Sequence, residues 1–484
     1  MAKKSFYITT TITYVNADPH IGFALELVQA DVIARYARLQ DRDVFFSTGT
    51  DEYGQKIWEG SVKEGKDVQD YVDHYAQKFL ELKNVLNLSY DNFIRTTSKE
   101  HIIAAQEFWR LCDKKGDIYK KLYRGLYCVG CEKFITEKDL MDGFCSFHPT
   151  KKPEMVEEEN YFFRLLNYKK QLLEYLSNEK VIIPEWRRQE AINFVQDGIE
   201  DFSISRNKKR FSWGIPIPGD DTQVMYVWFG AFVNYISTLG WPNSHGAYEK
   251  FWVEGEKVQT AGKDMVKFQS VMWQGMLMSA GMPTTDTIVY HGFITGEGGI
   301  KMSKSIGNVI NPADIVAEYG TDALRYFLLR EISSFEDSPF TMERFKEAYN
   351  ANLANGLGNL VSRIMKMSET NIQAPDIKFL DNLWNEYGNR KDYDTHLSFF
   401  NFTKACDIVW QKIANTDVYI QVSQPFKVIK ENKEDGEKII KIAVGDLYLI
   451  TKMLEPILPE TALKIRECIL KNKMPALPLF LRKD

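Results

Sequence analysis

Phe6, Tyr7 and Ile8 open a run of aromatic and β-branched residues, Ser5 to Thr13, that predicts a strand. A polar turn, Asn16-Ala17-Asp18, follows. Pro19 then opens a helix, with Asp18 expected at the N-cap and Pro19 at the first helical position. Ile21, Ala24, Leu25, Val28, Val32 and Tyr36 fall on one stripe of that helix. Strand, short turn and helix start come in the order that builds an anion site. Val44-Phe45-Phe46 predicts a second strand, and 67–114 reads as helices with Tyr71, Tyr75, Phe79 and Leu82 on one face. Residues 154–210 read as charged and helical. Phe211 to Pro218 is a proline-punctuated strand, Val224 to Phe229 an apolar strand running into a helix, and Thr287 to Tyr290 another strand. Asn311-Pro312 and Asp314 start a further helix. From Thr341 onward the pattern is helical, with polar breaks near 372–378 and 432–436, which predicts an all-α bundle.

At 484 residues the chain has room for two to four domains. Hydrophobic content of 44% and charged content of 26% are ordinary for a soluble protein. No apolar run approaches the roughly 18 residues of a membrane span. Lys3 and Lys4 are followed by no apolar export segment, so a cytoplasmic protein is expected. A net charge of −5 argues against a dedicated nucleic-acid binder, but leaves room for local basic patches. Six cysteines in a chain this long do not make a disulfide scaffold; clustered, they suggest metal.

Several residue groups carry candidate chemistry. Lys301 and Lys304, in a segment bracketed by Gly296, Gly298, Gly299 and Gly307, can close over an anion as point charges. His20 and Gly22 lie in the first turn of the first helix. There His20 can meet phosphate oxygens and Gly22 admits close approach to the backbone. Asp51, after the second strand, can pair a cation, or serve as a turn residue before Gly54. Cys128-x2-Cys131 and Cys145-x2-His148 have the ligand types and tight pairing of a closed tetrahedral zinc site; coincidence, or a knuckle without its metal, is the other reading. Arg187-Arg188, Arg206 and Lys208-Lys209-Arg210 form a basic cluster that suits an RNA backbone or a solvated face equally. Asn359 and Arg363 share one helix face.

Together these segments resemble the methionyl-tRNA synthetases of class I. Lys301-Met302-Ser303-Lys304-Ser305 is the KMSKS string, and His20-Ile21-Gly22-Phe23 resembles the HIGH signature with Phe23 at its last position. Gly49 to Gly54 is similar to GTDEHG, with Tyr53 for the histidine; Ser212 to Pro218 to SWGxPxPG; Thr260 to Asp264 to the GKD element. The resemblance covers nearly the whole chain. It implies an α/β Rossmann-like catalytic domain with a zinc-knuckle insertion, followed by an all-α anticodon-binding helical bundle. The expected divisions are 1–114, 115–225, 226–340 and 341–484. It implies a reaction in two steps, methionine activation by ATP with Mg²⁺, then transfer to tRNA(Met). The implied catalytic residues are His20, Lys301 and Lys304. Those at ATP are His20, Gly22, Gly262, Asp264, His291 and Lys304. Those at methionine are Ile12, Tyr14, Asp51, Trp228, Ala231, Tyr235 and Met265. Cys128, Cys131, Cys145 and His148 would hold structural Zn²⁺, and Asn359, Arg363 and Phe426 would read the anticodon. Phe426 stands where the family has tryptophan, Gly230 where it has aspartate, and Gln269 where it has a histidine near the methionine sulfur. A monomer is expected. Two other readings stay open: a class I synthetase for a different amino acid, and a synthetase-like RNA-binding or regulatory protein with weakened catalysis.

Overall fold

The computed structural model describes the chain except residues 1–3, 130–132, 136, 138–139, 147–151, 210–211, 244–245, 301, 303–308, 389 and 484. It divides into two compact units. One comprises Met1–Pro19, Asp41–Lys83 and Tyr90–Tyr290; the other comprises His20–Gln40, Asn84–Ser89 and His291–Asp484.

The first unit is built on a sheet whose strands are β1 (Ser5–Thr9), β2 (Thr13–Tyr14), β3 (Asp43–Asp51), β4 (Asn92–Arg95), β5 (Ile182–Ile183), β6 (Glu256–Gly262) and β7 (Thr287–His291). Their order is β5-β7-β6-β1-β3-β2, and β4 also pairs with β3. β1 pairs in parallel with β3 and β6, β5 with β7, and β2 and β4 with β3. Phe6, Tyr7 and Ile8 are all buried, as expected of a central parallel strand covered on both faces. The predicted first strand is therefore two: β1, and the short β2 after a break at 10–12. β4 lies inside the stretch read as helical.

Residues 154–210 are not mainly helical. Glu154–Phe163 is a strand, antiparallel to Ile118–Cys128 with Ile118 opposite Phe163 and Tyr127 opposite Glu154. Two helices do follow, Lys169–Ser177 and Glu185–Gln196. The glutamates at 154 and 157–159 mask a strand whose apolar weight lies at its carboxyl end. Arg206 also leaves the predicted basic cluster. It is 1% exposed, donates to Ser203 Oγ at 2.9 Å and lies over the Tyr226 ring, 4.3 Å from its centroid. Val224 and Met225 end a strand, Asp220–Met225, and the chain turns helical at Val227, earlier than its apolar run suggests.

In the second unit, α1 (Ile21–Leu39) is capped by His20, not Asp18: the His20 ring accepts from the Gly22 N–H. Asp18, in the first unit, instead accepts from Lys78 at 2.6 Å. The carboxyl-terminal region is helical as predicted, including α2 (Asn359–Asn371), α3 (Phe402–Ser423), α4 (Pro425–Glu431) and α5 (Lys433–Leu454). Ile364, Val409, Val444 and Tyr448 are among its fully buried apolar residues. Among the described residues no helix is long and apolar enough to cross a membrane.

Candidate active site and flanking sites

Three neighbouring strands of the first unit deliver residues at their carboxyl ends, the edge at which open parallel sheets bind ligands. Ile12 and Tyr14 follow β1, Asp51 ends β3, and Gly262 and Asp264 come at and just after the end of β6. Tyr14 stands opposite Asp51 in the β2–β3 register, and the Val15 N–H donates to Asp51 O at 3.2 Å. Asp51 itself is 8% exposed.

The residue after Asp51 is the brace. Glu52 is wholly buried and accepts from Thr50 Oγ1 at 2.8 Å and from Arg95 Nε and NH2 at 2.6 and 3.0 Å. Its N–H donates to Thr96 Oγ1, and its carbonyl accepts from Trp213 Nε1 at 2.6 Å. Trp213 packs on Tyr53 at 5.3 Å; it precedes the strand Pro216–Ile217, which among the described residues is all that forms of the strand predicted over 211–218. Burial, then the Glu52 and Asp51 charges, push the Tyr53 hydroxyl up to about 12. Sequence reading missed Glu52 and Arg95 because their partners come from different strands.

Tyr14, Trp228, Tyr235 and Met265 belong to a single apolar cluster. Trp228 stacks on Phe268 at 4.4 Å, and Tyr235 lies against Trp273 at 5.9 Å. Ala231 is buried one turn before Tyr235, and Ile12 is half-buried. A polar chain runs through this cluster. Tyr235 O–H donates to Gln269 Oε1 at 3.1 Å, Gln269 Nε2 to Gln259 Oε1 at 2.6 Å, and Thr285 Oγ1 to the same Gln259 oxygen at 2.8 Å. Gln269 thus satisfies a buried hydroxyl and a buried carboxamide oxygen at once. At Gly230 an added Cβ would lie 3.0 Å from Ile215 Cδ1, so a larger residue needs Ile215 to move. Nearby, His101 is fully buried and bonded to Ser237 Oγ at 2.9 Å; burial pushes its ring down to about 4, against a backbone hydrogen bond with Gly230.

In the second unit, the His20 ring folds over the start of α1. Its Nδ1 accepts from Gly22 N–H at 3.1 Å, and Phe23 stacks on it with centroids 4.1 Å apart. His291, 5% exposed, bonds through Nδ1 to Gly292 O at 2.7 Å and through Nε2 to Glu26 Oε2 at 3.0 Å. Both ring nitrogens thus face acceptors. Asp264 in the first unit is exposed, and Gly262 is buried. Lys301 and Lys304 lie outside the described residues.

Of the metal-ligand candidates, Cys128 and Cys145 are each 1% exposed and share a small cluster with Ile135. Cys128 ends the strand Ile118–Cys128 and Cys145 ends another, Phe144–Cys145, where it stands opposite Leu140. Cys131 and His148 lie outside the described residues. Among the described residues no group of three or more His, Cys, Asp or Glu side chains is placed to hold a metal. Two buried cysteines at strand ends suit one half each of a paired-knuckle site.

Asn359 opens α2 on its exposed side, and Arg363 follows one turn later, paired with Asp417 of α3 and 43% exposed. Phe426 in α4 leaves 49% of its surface exposed, and the preceding Gln424 takes a left-handed conformation that sets the bend between α3 and α4. All three candidates therefore face solvent.

The family model for class I tRNA synthetases (M) matches residues 6–151 and 136–365. The methionine–tRNA ligase of Fusobacterium nucleatum is 37% identical over 473 residues, covering 96% of this chain and 74% of that protein. That of a Nostoc species is 38% identical over 481 residues, covering 96% and 89%. Among solved structures, Mycobacterium tuberculosis methionyl-tRNA synthetase in complex with methionyl-adenylate superposes with a TM-score of 0.89 at 33% identity, covering 99% of each chain. The free form of that enzyme gives 0.83 at 30% identity. The chain therefore belongs to the methionyl-tRNA synthetase family of class I aminoacyl-tRNA synthetases.

Proposed function

We infer that this chain activates L-methionine with ATP and transfers the methionyl group to tRNA(Met). In the first step a methionine carboxylate oxygen forms a bond to the α-phosphorus. The bond from that phosphorus to the bridging oxygen breaks, and pyrophosphate leaves with the electron pair. In the second, the 3′-terminal adenosine of tRNA attacks the acyl carbon and AMP departs. No protein nucleophile is needed; positioning and electrostatics carry the rate.

The observation that carries this reading is the pairing of Asp51 with an aromatic cluster in one unit. A mostly buried carboxylate at the carboxyl end of β3 suits an α-ammonium group. Trp228, Tyr235 and Met265, with Tyr14, Ile12 and Ala231, suit a flexible thioether, since sulfur packs favourably on aromatic rings. His20, Gly22, Gly262, Asp264 and His291 are assigned to ATP, and Lys301 and Lys304 to its triphosphate. Mg²⁺ bound to the phosphates would supply charge neutralisation. Zn²⁺ on Cys128, Cys131, Cys145 and His148 would be structural. Asn359, Arg363 and the exposed Phe426 are assigned to the anticodon, where an aromatic ring stacks on a base for about 1–3 kcal/mol. We place the enzyme in the cytoplasm as a monomer.

The test is methionine-dependent exchange of pyrophosphate into ATP by the purified chain without tRNA, with leucine, isoleucine, valine and cysteine as controls. Exchange with methionine alone supports the reading. Exchange with another amino acid moves the specificity, and no exchange with any leaves an RNA-binding role.

A further inference from the structure

The amides at the start of α1 are engaged within the chain. Ile21 N–H donates to Ile310 O at 2.9 Å, Phe23 N–H to His20 O at 2.9 Å, and Gly22 N–H to His20 Nδ1 at 3.1 Å. These are the donors that a helix start ordinarily leaves for a ligand. What the turn presents instead is the His20 ring.

Two contacts fix that ring. An N–H donating to Nδ1 needs the lone pair there, so the neutral imidazole carries its proton on Nε2. Phe23 then sets the plane: its ring stacks on the imidazole at 4.1 Å with 25° between the planes. Gly22 makes the arrangement possible. A Cβ there would lie 2.9 Å from His20 Cε1 and 3.0 Å from Nδ1, so any side chain pushes the ring off its cap.

We propose that Phe23 is a positioning residue for adenylate formation: stacked on His20, it holds the imidazole so that Nε2–H is the donor met by a phosphate oxygen of ATP. This rests on the function proposed above. A histidine at position 23 would add a second polar group; phenylalanine gives none, and its contribution is to orient the single donor that remains.

The experiment compares the unaltered full chain with F23L, F23Y and F23H in methionine-dependent ATP–pyrophosphate exchange. Phe23 is half-buried, and circular dichroism and thermal melting establish that each variant is folded. F23L, which loses the ring, should lower kcat roughly ten- to a hundredfold with KM for methionine unchanged. F23Y and F23H keep a ring to stack and should stay near the unaltered rate. Independently of turnover, ¹⁵N-histidine spectra, with His20 assigned through H20N, should show the proton on Nε2 in the unaltered chain and averaging between tautomers in F23L. An F23L chain at full kcat, a loss that falls on KM for methionine, F23Y failing as badly as F23L, or a His20 proton on Nδ1 each overturn the proposal. Absence of exchange by the unaltered chain overturns the functional reading as well, which separates the two failures.

Discussion

The Arg325 guanidinium donates to the Asp31 carboxylate at 2.8 Å, and neither side chain has any exposure. Asp31 also accepts from Arg35 at 2.7 Å and from the Ser89 N–H and hydroxyl at 2.6 Å each. Arg325 goes on to donate to the carbonyls of Ile457, Leu86 and Pro456. Burial pushes the Asp31 carboxyl up, but Arg325, Arg35 and Ser89 outweigh it and leave it below the ordinary carboxylate value. One guanidinium thus ties α1, the 84–89 segment and the helical region near 456 together inside the second unit. Replacing it by methionine (R325M) strands a buried charge and should cost about 3–5 kcal/mol. The readout is the urea midpoint at unchanged slope. The pair replaced together, D31L with R325M, should cost less than the two single changes added; equal or larger cost would deny the coupling.

Asp51 gives a second prediction. D51N keeps the shape and removes the charge. Loss of an ion-pair partner for a buried ammonium costs about 2–5 kcal/mol, so kcat/KM for methionine should fall at least about thirtyfold. Thermal stability should hold, since the brace is Glu52 with Arg95. If D51N activates methionine normally, the ammonium is held elsewhere.

His101 should make the fold acid-sensitive. Its ring stands near 4 in the fold against an ordinary 6.5. The unfolded chain therefore binds the extra proton between those values, and stability falls as the pH drops through that window. The contribution is complete above 6.5, is lost progressively towards 4 and changes no further below it. It amounts to about 3 kcal/mol. Unfolding of the unaltered chain and of H101N, measured across this range, checks it: the variant should show the shallower slope.

The insertion should hold a single zinc ion. Metal analysis of the purified chain, and of C128S and C145S, reads this directly, and each variant should lose the ion. If the ion is structural, as a closed four-ligand site is, removing it should unfold the region around Cys128 and Cys145 without abolishing pyrophosphate exchange. A metal-free but folded unaltered chain would show that the cysteines only pack.

Much of this molecule is legible along the chain. The strand before His20, the apolar stripe of the helix after it and the helical carboxyl-terminal region all follow from local pattern, whereas Trp228 and Tyr235 come from the family resemblance. What escaped has a common cause. Asp18 has the right chemistry for an N-cap two residues before the actual one, but Lys78 holds its carboxylate, and His20, with an extended backbone, takes the cap. Arg206 reads as a surface cation and is instead sealed over Tyr226. Glu52 with Arg95, and Asp31 with Arg325, form ion pairs between residues far apart in sequence, which no periodicity can announce.

The chain from Tyr235 through Gln269 to Gln259 has a further implication. A carboxamide neither gains nor loses a proton anywhere between about pH 4 and 9, whereas an imidazole in its place has a proton to exchange, at a pH that burial lowers as it does for His101. With Gln269 there, the hydrogen bonds it makes with Tyr235 and Gln259 stay the same as acidity varies. Choice of amino acid should then be as faithful in an acid-stressed cell as in a resting one, and any pH dependence of methionine affinity should enter from the ammonium end. A Q269H chain, given a proton to exchange, should acquire a pH-dependent KM for methionine that the unaltered chain lacks.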